Sequence, residues 1–239
     1  MVRRHCRSRL VAFMALIAAP LGLATPARPV LAQDAVLPFA DRVTALTNGE
    51  RAKATVAFLD QYVRWPGNRG FDASIAHIAT ELEAAGYVPE AQAPSDAPLV
   101  YRVERYPMAQ PAWEPLDASV AIDGDPTPLL RFATNRNMLA TNSFATPADG
   151  VRAEVVSVGS GSTADLEAAG DLRGKIVFAD APVGRVFTEA VVRRGALGVL
   201  GYALPAYLQP ERNRTSIQFA SVPRDTVARA WGIALSFEA

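Results

Sequence analysis

The sequence predicts an α/β protein, and three observations carry that expectation. Apolar residues recur at helical spacing in "GFDASIAHIATELEAAGY" (70–87), apolar and polar residues alternate from Leu99 to Ile122, and three short apolar runs follow Gly150, separated by glycines and helical pieces. With 239 residues, 50% hydrophobic and 20% charged, the chain has the composition of a globular protein of one or two domains.

Residues 1–32 read as a secretory signal peptide. Arg3, Arg4, Arg7 and Arg9 precede an apolar run from Leu10 to Leu23, and Val30-Leu31-Ala32 places small residues at a cleavage site before Gln33. The run is short for a membrane span and no second one follows, so the expectation is export across a bacterial-type inner membrane with no membrane attachment after cleavage. Arg3-Arg4 would suit a twin-arginine signal, although the rest of that pattern is poor. Loss of the segment removes five arginines (3, 4, 7, 9 and 28) and no acid from a balance of 24 basic and 24 acidic residues, leaving −5. That charge argues against a nucleic-acid binder. Cys6, the single cysteine, leaves too, so neither disulfides nor thiol chemistry are expected.

From 33 to about 95 the character is helical. A first helix is expected over Ala52–Tyr62, a break at "WPGNRG" (65–70), then an amphipathic helix from 71 to 86. In that helix Asp72 can cap, Phe71, Ile75, Ile78 and Leu82 form the apolar face, and Gly86 can end it in a left-handed turn. Residues 99–122 alternate like strands, and "LDASVAIDGD" ends in a turn at Asp123-Gly124. An Asn-, Thr- and Pro-rich connection reaches to about Gly150. "VRAEVVSVG", "GKIVFAD" and "GALGVLGY" then read as strands, with a core built from Val155, Val156, Ile176, Val177, Leu197 and Val199. At the C-terminus Ser236-Phe237-Glu238 reads as a helix start.

No catalytic constellation is visible. Gly159-Ser160-Gly161-Ser162-Thr163-Ala164 imitates a dinucleotide fingerprint, with Asp180 closing the next strand, but only Ala164–Ala169 can be helical, which is short for a crossover helix. A loop is the better reading, and a nucleotide-dependent oxidoreductase is the weakest of the function classes considered. Gly170–Lys175 fails as a phosphate loop by its spacing and by the residue after the lysine. His77, the single histidine after residue 32, is placed on the solvated side of its helix, and one histidine with no cysteine does not furnish the usual zinc ligands. No G-x-S-x-G elbow offers it a nucleophile.

"DLRGKIVFAD", "VFTEAVVRRGALGVLGY" and "SIQFASVPRDTVARAWG" together resemble the protease-associated (PA) domain. The likeness lies in Gly174–Val177, a short helix at Thr188–Arg194, Gly195-Ala196 leading to Gly198-Val199, and Val222-Pro223. The cysteine frequent in that family after the first strand is missing between Val183 and Phe187. Upstream, "RWPGNRGFDASIAHIATELEAAGY" and "VERYPMAQPAWEPLDASVAI" resemble the opening loop, first helix and early strands of the secreted co-catalytic-zinc aminopeptidases of peptidase family M-28. In some of those a PA domain is inserted into an α/β catalytic fold. "WGIALS" is similar to the return into that fold.

The resemblance implies a signal peptide at 1–32, an N-terminal segment of the peptidase fold at 33–124, a PA domain of mixed β/α type at 125–235, and the start of the return at 236–239. It also implies that the zinc ligands of the family lie beyond the inserted domain. The expectation is therefore an aminopeptidase-like chain cut before its metal site, inactive alone, with no catalytic, cofactor-binding or metal residues and no cofactor of its own. The alternative is a non-catalytic PA-domain module that binds peptides or a partner protein. On the first reading 125–235 folds alone, whereas 33–120 needs a sheet that it does not supply.

Overall fold

In "NRGFD" (68–72) the capping residue stands before the arginine, and the local geometry follows from it. A computed structural model describes residues 33–239; residues 1–32, read from the sequence as a signal peptide, lie outside the described residues together with Cys6. Contacts divide the chain into two units, 1–53 and 54–239. In the first, α1 (Gln33–Leu46) carries Pro38 inside it. Helix α2 (Gly49–Asp60) begins there, with Asn48 Oδ1 accepting from Arg51 N at 3.1 Å. It has no buried residue.

Helix α3 (Arg69–Ala84) is capped by Asn68 rather than Asp72. The Asn68 Oδ1 accepts from Phe71 N at 2.8 Å while Nδ2 donates to Val63 O at 2.9 Å, so a side chain only 2% exposed uses both ends of its amide. The far end follows the expectation: Gly86 at φ +91° lets Tyr87 N reach Leu82 O at 3.0 Å and Gly86 N reach Glu83 O at 2.9 Å, the Schellman arrangement. The inward face agrees with the expected one in Phe71, Ile75 and Leu82, all half-buried, and departs from it elsewhere. Gly70 and Ser74 are its buried residues, His77 is half-buried, and Ile78 is 43% exposed. The cause is close approach: a Cβ on Gly70 would stand 2.5 Å from Val63 O, so small residues turn inward and the larger Ile78 stays out.

The alternation over 99–122 does not produce long strands. Only β1 (Val88–Pro89) with β2 (Val100–Tyr101), parallel, and β3 (Ser119–Val120) with β4 (Leu130–Arg131), antiparallel, are formed. From Arg102 to Tyr106 no neighbouring strand takes up the backbone; Arg102 and Tyr106 instead bond the Glu104 carboxylate, and Pro107 and Pro111 remove ladder donors. The turn at Asp123-Gly124 is present, closed by Asp125 N to Ile122 O at 3.0 Å with Gly124 at φ +85°.

The centre is a four-stranded parallel sheet in the order β5 (Val155–Ser157), β6 (Ile176–Ala179), β7 (Gly198–Gly201), β8 (Trp231–Ala234). Helix α4 (Thr163–Ala168) lies in the first crossover, and α5 (Val183–Phe187), which continues as a π-helical turn over Thr188–Val192, lies in the second. The second helix thus starts several residues before the expected Thr188, immediately after Pro182. The short α4 does support a parallel crossover, contrary to expectation; the connection 158–175 is long enough, and its length matters more than that of its helix. The described residues are an α/β protein with parallel and antiparallel pairings.

The main hydrophobic cluster lies wholly between Leu130 and Leu235, with Met138, Leu166, Leu172, Val177 and Val199 at 0% exposure and Phe187 at 1%. Val155 at 53% and Leu197 at 36% are not core residues as expected: Val155 sits on the sheet's edge strand and Leu197 just ahead of β7. Strand β8, read in sequence as a return to another fold, is part of this sheet. No helix among the described residues is long and apolar enough to cross a membrane.

Candidate functional site

The Asn-rich connection, read from sequence as a linker, organises the site. Residues 139–144 run antiparallel beside β8, with Ala140 N to Gly232 O and Phe144 N to Ala230 O both at 3.0 Å. The next residue along reaches the other way. Thr141 N donates to Ala220 O at 2.9 Å and Val222 N donates to Thr141 O at 3.0 Å, in a parallel bridge with Ser221. Three asparagine side chains repeat that pairing at one offset: Asn135 Nδ2 to Thr215 O (2.8 Å), Asn137 Nδ2 to Ile217 O (3.1 Å) and Asn142 Nδ2 to Val222 O (3.1 Å). An amide is suited to this, because it presents two donors to carbonyls that a backbone partner leaves unpaired.

The strap is itself secured. Ser143 Oγ accepts from Gly232 N at 3.0 Å, and the Trp113 indole donates to Ser143 O at 2.9 Å. Residues 135–144 are therefore held between β8 on one side and 215–222 on the other.

A cleft of about 280 Å³ opens where segment 217–221 meets the carboxyl ends of β7 and β8 and the start of α5. Gly201, Ala234 and Leu235 come from the strand ends, Pro182–Gly184 from the helix entrance, and Ala203 and Leu204 from the following loop. Gly184 fixes how near 217–221 can come, since a Cβ there would stand 2.4 Å from Ser221 O. No ionisable side chain lines the cleft; its polar chemistry is backbone, the Gln218 amide and the Ser221 hydroxyl. Such a lining can hydrogen-bond and bury a ligand, and it offers no general acid or base.

The fingerprint-like loop is engaged within the chain. Asp165 Oδ2 accepts from Ser160 Oγ at 2.6 Å and from Ser162 N at 3.2 Å, while Ser162 Oγ accepts from Asp165 N, a capping box for α4. These bonds, led by that from Ser160, hold the Asp165 carboxyl below the usual carboxylate range. A carboxylate of the chain thus occupies donors that a nucleotide phosphate would need, which is a better reason against a dinucleotide site than helix length. Asp180 donates its N–H to Gly159 O at 2.7 Å, closing the same loop.

His77 is not a freely solvated side chain. Its ring stacks on Phe58 at 3.9 Å and 21°, and its Nε2 is buried without a hydrogen-bond partner. Among the described residues no three His, Cys, Asp or Glu side chains gather as a metal-binding group. The chain matches no protein-family model, no curated protein and no solved structure.

Proposed function

We propose that this chain is the non-catalytic, peptide-holding part of an exported aminopeptidase-like protein, with residues 125–235 acting as a PA-type binding domain. The observation that carries the reading is the cleft at the β7 and β8 ends, lined by backbone, small and apolar groups and by no titratable side chain. That chemistry suits holding a peptide and does not suit cleaving one. Relation to the M-28 aminopeptidases rests on the residues quoted from 64 to 122 and 171 to 236. It draws support from apolar side chains left in water upstream of the sheet: Tyr106 is 76% exposed, Leu116 76%, Ile122 59% and Val103 45%. A segment that belongs to a larger peptidase fold would carry such residues for packing against the rest of it.

Nuclear magnetic resonance of isotopically labelled protein during titration with a mixed pool of short peptides tests the binding role. Shift changes confined to 182–184, 201–204, 217–221 and 234–235 are the expected result. A pool that perturbs none of them overturns the proposal. Hydrolysis of aminoacyl chromogenic substrates, with and without added zinc, should stay at the buffer rate; chelator-sensitive turnover would replace a binding role with a catalytic one.

A further inference from the structure

We propose that the cleft takes its peptide as an added β-strand along Gln218–Ser221, and that the preferred peptide carries acidic side chains. The inference rests on the peptide-holding role proposed above and specifies the occupant.

The first observation is an edge without a partner. Segment 215–222 gives the carbonyls of Thr215, Ile217, Ala220 and Val222 and the N–H of Val222 to the strap. Among the described residues no hydrogen bond takes the N–H groups of Phe219 or Ser221, two positions apart and so turned to the same edge in an extended chain. Gln218, Phe219 and Ser221 are exposed, and this stretch lines the cleft. Extended backbone presents its donors and acceptors at a two-residue repeat, and the ligand that matches such a repeat is a second extended backbone. Gly201 has no side chain to obstruct it, while Phe219, 60% exposed, offers an apolar surface to alternate side chains.

The second observation is charge. Between 182 and 235 there are seven arginines, three acids and no lysine, a balance of +4 within residues 33–239 that sum to −5. Arg193 pairs with Glu189 at 2.5 Å and Arg194 faces Glu167 at 4.0 Å. The other five have no carboxylate partner among the described residues. Arg185, next to the cleft residue Gly184, donates to Ser160 O at 2.9 Å, and Arg214 lies 4.8 Å over the Phe237 ring, two residues beyond the cleft residue Leu235. Arg212 reaches Gln209, Arg224 reaches Pro111 O, and Arg229 rests on Phe144. Every residue that lines the cleft comes from this basic stretch, and its surplus of guanidinium groups favours an anionic ligand, by steering and by charge-assisted hydrogen bonds.

Calorimetric titration with three capped heptapeptides of alternating sequence tests both halves. One alternates glutamate with valine and threonine, the second has lysine for glutamate, and the third is the glutamate peptide N-methylated at alternate residues. The glutamate peptide should bind, with the lysine and N-methylated forms at least tenfold weaker. Arg185→Gln with Arg214→Gln should weaken the glutamate peptide several-fold and flatten its salt dependence, while the lysine peptide is not weakened and unfolding stays cooperative. Equal affinity for the N-methylated form overturns strand addition, and equal affinity for the lysine form overturns the acidic preference. If the mixed pool shifts cleft resonances while none of the three heptapeptides binds, this inference fails alone; if no peptide of any kind perturbs the cleft, the peptide-holding role fails with it.

Discussion

Asn137 Nδ2 donates to Ile217 O at 3.1 Å across 80 positions of chain, and Ile217 is only 8% exposed. Truncation by Asn137→Ala leaves that carbonyl without its donor, which should cost about 1 to 3 kcal/mol. The urea midpoint is expected to fall with little change in slope, and peptide binding to weaken because 217–221 lines the cleft. Unaltered stability and binding would mean that the strap does not position this segment.

Gly184→Ala should destabilise by about 1 to 3 kcal/mol, the usual range for overpacking against backbone. The reason is the 2.4 Å between a Cβ at this position and Ser221 O, a carbonyl that can move only with its segment. Differential scanning calorimetry measures the change. A variant that melts with the wild type would show that the cleft wall yields freely.

Arg173 grips Asp171 with Nε and Nη2 at 2.9 to 3.2 Å, and this hydrogen bonding, ahead of all other causes, lowers the Asp171 pKa from 3.8 to about 2. Because the folded-state value is the lower one, the unfolded chain binds more protons in the window between the two. The contribution to stability is therefore full above about pH 4 and lost as pH falls through about 2. Asp165 titrates in the same direction, held down first by Ser160. Urea midpoints measured from pH 5 to 2 should decline less steeply in Asp171→Asn than in the wild type; parallel curves would show that the pair is open in solution.

Trp113 is 8% exposed and tied to Ser143 O. Trp113→Phe keeps most of the ring and loses the donor, for an expected cost of about 1 kcal/mol. Limited trypsin digestion should cut first near Lys53, at the sequence boundary between the two units, and then at Arg102 or Arg105. The resistant fragment should begin at Val103 or Tyr106 and retain Trp113. A fragment that begins only after residue 123 would mean that Trp113 does not anchor the upstream chain.

The sequence made the elements of the sheet region legible because short apolar runs between glycines have few other uses; the runs around Val156, Val177 and Val199 became β5, β6 and β7. Gly86 was legible for the same local reason. Facing was not. Ile78 suggested the inner side of α3, yet the direction was decided by how closely Val63 O approaches Gly70, a tertiary fact with no periodic signal. The alternation at 100–105 resembled a strand because alternation states what a strand could do and not whether a partner exists. Least visible was the strap. Asn135, Asn137 and Asn142 looked like loop composition, and their common offset to 215, 217 and 222 emerges only once both segments lie side by side. The cleft inherits that obscurity, since its wall is backbone and its residues are small.

The placement of 139–144 between β8 and 220–222 also sets an order of events during synthesis. Apart from the Trp113 indole on Ser143 O, the bonds that seat the strap, such as those from Ala140 to Gly232 and from Thr141 to Ala220, wait for residues made roughly eighty to ninety positions later. Loop closure of that length is slow compared with helix formation, and sheets dominated by distant pairings fold late. The emerging chain can wind α3 and pair β5 with β6 and β7, but the edge that receives β8 stays open until nearly the last residues described here have left the ribosome. A polypeptide built in this manner completes this sheet only after elongation has passed β8, and until then the sheet presents an unpaired margin to whatever chaperone meets it.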